Sequence, residues 1–186
     1  MRRRRTLPAL LEARGIHYAW AVAAVSFLTL ITAAGFRSTV GVLIVPLQDE
    51  FGWSRATISV AVAINLVLYG LGGPFAAGLY DRFGIRRVIV IALATIAVSS
   101  TLTTQMDAPW QLDVLWGVAN GLATGAIGVT LAAVVAGRWF VARRGLVTGL
   151  LTASNATGQL VFLPLLGWIV VSQGWRTAAL TVSVVG

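Results

Sequence analysis

The sequence contains no cysteine, which excludes disulfides, thiolate nucleophiles and Cys-ligated zinc or iron-sulfur clusters. It contains no lysine either. All 14 of its cations are arginines, so a Walker A phosphate loop and Schiff-base chemistry are both ruled out. The six acids and the single histidine, His17, are too few for an ordinary hydrolytic or metal site, and no cofactor is expected. Charged residues make up 11% of the 186, whereas 58% are apolar and the mean hydropathy is +0.86; a soluble domain carries about a quarter charged residues. The composition is that of a membrane protein. A span of the roughly 30 Å hydrocarbon layer takes about 20 apolar residues. The chain therefore holds five spans and part of a sixth, with no room for a separate soluble domain.

A net charge of +8 and a pI near 11.6 would point to nucleic acid in a soluble chain. The placement of the arginines says otherwise. Arg2, Arg3, Arg4, Arg5 and Arg14 precede the first apolar stretch and Arg55 follows it. Arg82, Arg86 and Arg87 follow the second, none follows the third, Arg138, Arg143 and Arg144 follow the fourth, and Arg176 follows the fifth. Eleven thus fall in the odd compartments and two in the even ones, leaving Arg37 inside the first stretch. The positive-inside rule predicts a cytoplasmic N-terminus and two cytoplasmic Arg-rich loops on a multi-pass chain of the cell (inner) membrane. The partner of this charge is the lipid bilayer and not nucleic acid. The run Arg2 to Arg5 serves as a topology anchor, with contact to anionic headgroups as the alternative. A signal peptide is rejected, because the first apolar stretch is far too long for one and four more follow it.

Residues 1–17 are read as a basic cytoplasmic segment. Spans are expected at about 18–47, 55–80, 88–105, 109–137 and 146–172, and a sixth opens at 177. The residues 177–186 reach only about 15 Å, half of the hydrocarbon layer, so the sixth span is expected to be truncated. Ser54 suits an N-cap, Pro109 a first helical position, and Pro74 a kink. Trp20, Trp53, Trp110, Trp139 and Trp175 fall at span ends, as expected of rings at the headgroup level. The third span crowds Ser and Thr at its outer end and reads as peripheral. Gly117, Gly121 and Gly125 clear one face of the fourth span for close helix approach; Gly145, Gly149 and Ala153 open the fifth similarly. Such a contact is either mobile or statically packed.

The stretch Gly78-Leu79-Tyr80-Asp81-Arg82-Phe83-Gly84-Ile85-Arg86-Arg87-Val88, between the second and third spans, resembles the signature loop of the major facilitator superfamily. An acid at a helix C-terminus opposes the macrodipole, so Asp81 needs compensation, and Arg82, Arg86 and Arg87 lie within reach. The resemblance implies an all-α polytopic membrane bundle, the N-terminal six-helix half of a major facilitator fold with its sixth helix truncated. It also implies alternating access, a missing C-terminal half as partner, and a conformational latch of Asp81, Arg82, Gly84 and Arg86. Ala77 replaces the family's usual glycine, and Ile85 stands where a basic residue is frequent. No arginine occupies the fourth span near Gly117, and the fifth lacks a Gly-Pro followed by paired glycines. Both absences argue against a multidrug exporter. Phe51-Gly52-Trp53-Ser54-Arg55-Ala56, Arg138-Trp139-Phe140, Arg143-Arg144-Gly145-Leu146 and Gly174-Trp175-Arg176 are similar to the bacterial relatives of monocarboxylate and oxalate-formate transporters. That branch implies symport or antiport of a small organic anion such as a monocarboxylate. A small membrane scaffold without transport activity is the alternative. An enzyme is disfavoured, since Gly-x-Ser-x-Gly, His-Glu-x-x-His and paired in-span carboxylates are all missing.

Arg37 is the one charge well inside a span, and an intramembrane charge is costly enough to be a functional candidate by default. It lies about 9 Å outward of the middle of the first span and shares a face with Ser26, Leu30, Ala33, Gly41 and Ile44. Its guanidinium can hold a carboxylate by two parallel hydrogen bonds, or it can snorkel to the outer headgroups. Asn65 and Tyr69 share one face of the second span, Asn120 lies in the fourth, and Asn155 and Gln159 share a face of the fifth. These are candidate substrate-binding residues, with interhelical hydrogen bonding as the alternative. Asp113 is read as exposed at the outer interface and His17 as interfacial.

Overall fold

A chain in lipid has no water to satisfy backbone N–H and C=O groups, so each crossing segment must close its own hydrogen bonds. The computed structural model describes residues 18–140 and 143–185, and they meet this demand entirely with helices. The helices are α1 (Tyr18–Phe51), α2 (Arg55–Phe83), α3 (Ile85–Thr103), α4 (Pro109–Trp139), α5 (Arg144–Gln173) and α6 (Trp175–Val185). The first five are long and apolar enough to cross a membrane. The chain is an all-α, multi-pass membrane bundle. The basic segment 1–17, with His17, lies outside the described residues.

Two helix pairs form the frame, α1 with α5 and α2 with α4. Lipid tails are as apolar as leucine, so helices associate by close fit and interhelical hydrogen bonds rather than by escape from water. Glycine supplies the fit. A Cβ at Gly121 would lie 3.0 Å from the Cα of Asn65, one at Gly125 3.0 Å from the Tyr69 carbonyl, and one at Gly72 3.1 Å from the Gly125 Cα. The Gly117, Gly121, Gly125 stripe therefore carries the α2 backbone. On α5 the close approach is at Gly158, where a Cβ would meet that of Ala34 at 2.7 Å. Gly145 and Gly149 face open space, so the expected second stripe is no helix contact among the described residues. α3 packs on α4 and α6, and α6 also touches α5 and α1. Val171, Leu160 and Phe75 point outward with 89%, 77% and 72% exposure, an arrangement suited to acyl chains.

Local signals set the helix ends. The Ser54 hydroxyl accepts from the Thr57 N–H at 3.1 Å, capping α2, and α4 starts at Pro109. There the Gln111 side-chain oxygen accepts from the N–H groups of Asp107 (2.7 Å) and Ala108 (3.1 Å). Two connections consist of one glycine each. Gly84 (φ 83°) donates to the Tyr80 carbonyl at 3.0 Å and accepts from Val88 at 3.3 Å, closing α2 and opening α3. Gly174 (φ 85°) donates to Val170 at 3.1 Å and accepts from Ala178 at 3.4 Å, closing α5 and opening α6. Only glycine adopts such a φ without strain.

α2 continues as helix through Pro74, while α4 departs from α-geometry twice. Asp113–Ala119 is a π-helical segment, and Gly128 has φ −47° and ψ −131° at a kink. Trp175 stands at a helix end, as expected, and is packed against protein, being only 5% exposed. Its indole N–H donates to Glu50 at 2.5 Å, a partner that draws the ring inward.

Candidate functional site

Arg37 occupies the middle of a three-helix junction. With Phe36 of α1, Val62, Asn65 and Leu66 of α2, and Gln159 of α5, it lines a cavity of about 210 Å³. The guanidinium carbon lies 4.1 Å from the centroid of the Tyr69 ring, within the range of a cation–π contact worth about 0.5–2 kcal/mol depending on desolvation. Among the described residues it makes no ion pair, whereas Arg138 and Arg176 each hold an acid. A half-buried cation resting on an aromatic face beside a cavity is chemically able to receive an anion. Of the face-sharing residues, Ser26, Leu30 and Ala33 are buried in packing, and Gly41 is exposed.

The amides divide into two groups. Gln159 donates to the Asn155 side-chain oxygen at 3.1 Å, one turn along α5, and both are half-buried near Arg37. Asn65 and Asn120 are engaged with α4 itself. The Asn65 amide donates to the Trp116 carbonyl at 2.9 Å, and the Asn120 amide to the Leu115 carbonyl at 3.0 Å. Both acceptors lie in the π segment, so two asparagines, one from each helix of the pair, donate side-chain hydrogen bonds to its backbone. Asn120 is fully buried (0% exposed) and does not line the cavity; Asn65 touches both cavity and segment. Tyr80 donates to the Ala126 carbonyl at 2.5 Å and Thr130 to the Gly73 carbonyl at 3.2 Å, extending the polar seam between α2 and α4. Asp113 is half-buried at the start of the π segment.

Charged clusters hold the two ends of the bundle. At one end Asp81, in the last turn of α2, pairs with Arg138 in the last turn of α4. Arg82 stacks at 5.4 Å over Phe83, and Arg86, exposed, stands at the wall of a groove lined by Tyr18, Ile89 and Trp139. At the other end Glu50 accepts from Trp175 and pairs with Arg176 at 2.6 Å, while Arg176 also donates to the Thr104 carbonyl at 3.2 Å. Phe51 stacks on Trp53 at 4.6 Å and meets Trp175 edge-on at 6.2 Å.

A family model described as Major Facilitator Superfamily matches residues 25–186. The chain belongs to the major facilitator superfamily. It is 26% identical over 85% of its length to an uncharacterized MFS-type transporter, YcxA, of Bacillus subtilis, covering 39% of that protein. Human monocarboxylate transporter 14 is 29% identical over 88% of the chain, with 32% of that transporter covered. The oxalate:formate antiporter of Oxalobacter formigenes is 29% identical over 69% of the chain, with 30% of it covered. The chain thus spans between about three tenths and two fifths of the length of these curated relatives. The family relatives named here are transporters, not enzymes.

Within this major facilitator bundle, Arg138 is the partner of Asp81 that sequence reasoning missed. Asp81 had three arginines in its own loop within sequence reach, and its partner comes from 57 positions away. The available signal was that both residues end helices on the same side of the membrane. The pairing of Asn65 with the π segment gave no sequence signal.

Proposed function

We propose that this chain is the N-terminal six-helix half of a secondary transporter that carries small organic anions, monocarboxylates among them, by alternating access. The observation that supports this most is Arg37: a cation held on the Tyr69 face at a cavity, with no acid partner among the described residues. The monocarboxylate and oxalate:formate transporters among its relatives favour the same substrate class. In this reading Arg37 captures the carboxylate, Tyr69, Gln159 and Asn155 shape the pocket, and Asn65 and Asn120 hold the α4 backbone beside it. Asp81, Arg82, Gly84 and Arg86 form the latch, joined by Arg138. The N-terminus and the Arg-rich loops face the cytoplasm, and a second six-helix half completes the site.

The test is uptake of a panel of small carboxylates by the transporter formed with the second half, comparing Arg37→Lys and Arg37→Gln. A lysine keeps the charge but not the planar two-bond fork, so both variants lose most affinity if Arg37 captures the anion. A snorkelling arginine would be replaced by lysine without loss. Wild-type kinetics in Arg37→Lys would refute capture.

A further inference from the structure

A guanidinium on a flexible stem selects nothing unless its plane is held, and the feature that holds Arg37 lies two helices away. Tyr69 meets Arg37 over its ring and the backbone of α4 at Gly128 with its phenol end. A Cβ built on Gly128 would meet the Tyr69 hydroxyl at 2.8 Å, its Cε2 at 2.9 Å and its Cζ at 3.1 Å. The ring therefore rests directly on bare backbone, at the residue where α4 leaves helical geometry (ψ −131°). Nor can α2 retreat cheaply to make room. Three residues earlier, Gly125 brings α4 so close that a Cβ there would lie 3.0 Å from the Tyr69 carbonyl and 3.1 Å from its Cα. With the backbone of Tyr69 fixed by Gly125, only rotation of the side chain could relieve crowding at position 128. That rotation would carry the ring out from under Arg37, whose guanidinium carbon is 4.1 Å from the ring centroid.

We infer that Gly128 is a positioning residue for the substrate site: by having no side chain at the kink it seats the Tyr69 ring, and the seated ring orients the Arg37 guanidinium toward the cavity. This rests on the reading of Arg37 as the anion receptor, but its physical content, a link running Gly128 to Tyr69 to Arg37 across three helices, is measurable without substrate. It also assigns Tyr69 a role through Arg37. The phenol ring, not the hydroxyl, is the part that matters.

The test uses the chain in lipid nanodiscs with ¹⁵N-labelled arginine, Arg37→Lys identifying the Arg37 signal. A guanidinium stacked on a ring shows an upfield ring-current displacement. The displacement should persist in Tyr69→Phe, vanish in Tyr69→Leu, and be diminished in Gly128→Ala. Removing the hydroxyl removes the shortest of the three contacts, so the double variant Gly128→Ala/Tyr69→Phe should regain part of it. A role for Gly128 confined to bending α4 would give no such rescue. Formate and lactate are then titrated into the same variants assembled with the second half, with about tenfold weaker binding expected for Gly128→Ala and Tyr69→Leu, the scale of one cation–π contact. An unaltered displacement in Gly128→Ala, or a double variant no better than the single one, overturns the inference. The expected displacements together with an assembled wild type that binds neither carboxylate would leave the positioning link standing and refute anion capture by Arg37.

Discussion

Glycines at the same spacing on α4 and α5 should respond to the same substitution with opposite sign. At Gly121 an added methyl would lie 3.0 Å from the Asn65 Cα, 3.1 Å from the Asn65 carbonyl oxygen and 3.1 Å from the Leu68 Cβ. Carbon atoms pack without repulsion at about 3.5–4.0 Å, so α2 must retreat by roughly 0.5 Å. Two of the three obstructing atoms are backbone, and no rotamer change moves them. Overpacking of this kind costs about 1–3 kcal/mol, and the retreat also strains the Asn65 bond to the Trp116 carbonyl. At Gly149 a methyl meets nothing within 4 Å, and replacing glycine by alanine in a helix gains about 0.5–1 kcal/mol. The two variants should therefore differ by about 1.5–4 kcal/mol, or roughly 10- to 1,000-fold in the unfolding equilibrium. Titration of the micelle-embedded chain with dodecyl sulfate, followed by tryptophan fluorescence, gives both values. Equal stability of Gly121→Ala and Gly149→Ala would refute the close approach of α2 to α4.

Asn65→Ala should cost about 1–2 kcal/mol, because it removes a buried hydrogen bond between α2 and the π segment, and hydrogen exchange should quicken around residues 113–120. Asn155→Ala, whose partner is a half-buried side chain, should stay within about 0.5 kcal/mol. Asp81→Asn should lower stability by less than about 1 kcal/mol, since the Arg138 and Asp81 side chains are 46% and 74% exposed and exposed pairs contribute little. Uptake by the assembled transporter should nevertheless fall several-fold; unchanged uptake at equal expression would remove the latch role. The chain has no cysteine of its own, so single cysteines at Ala108 and Gln173 should be labelled from outside intact cells by an impermeant reagent, and one at Arg86 should not. The reverse pattern would invert the topology.

Features set within a few residues were legible in the sequence. The Ser54 cap, the start at Pro109 and the loop around Asp81 each depend on neighbours along the chain, and the apolar runs report directly on lipid. Features set by another helix were not. Gly121 and Gly149 belong to similar small-residue stripes, yet one touches α2 and the other faces open space, a difference decided by helix rotation within the bundle. The kink in α4 falls at Gly128, which meets the Tyr69 ring, and no neighbouring residue announces it. The candidate site was legible as a set of polar residues in apolar spans. Its division into Arg37, Asn65 and Gln159 at the cavity, Tyr69 against Arg37 and Asn120 buried in α4 depended on contacts spanning helices.

The one-glycine connections at Gly84 and Gly174 have a bearing on how the bundle is composed. Each follows the second helix of a group of three, α1 to α3 and α4 to α6, and their torsions nearly coincide (φ 83°, ψ 147° and φ 85°, ψ 163°). An odd number of helices per group puts the two elbows on opposite faces of the bilayer. The bundle thus carries one three-helix plan twice, the second copy upside down, in keeping with the inverted repeats of its fold. A connection of a single residue has no slack, so the two helices it joins cannot slide past one another by even one turn, about 5.4 Å. Each joined pair, α2 with α3 and α5 with α6, is therefore tied at its elbow. Inserted epitopes should accordingly be accepted in the loop at 104–108 and rejected at either glycine.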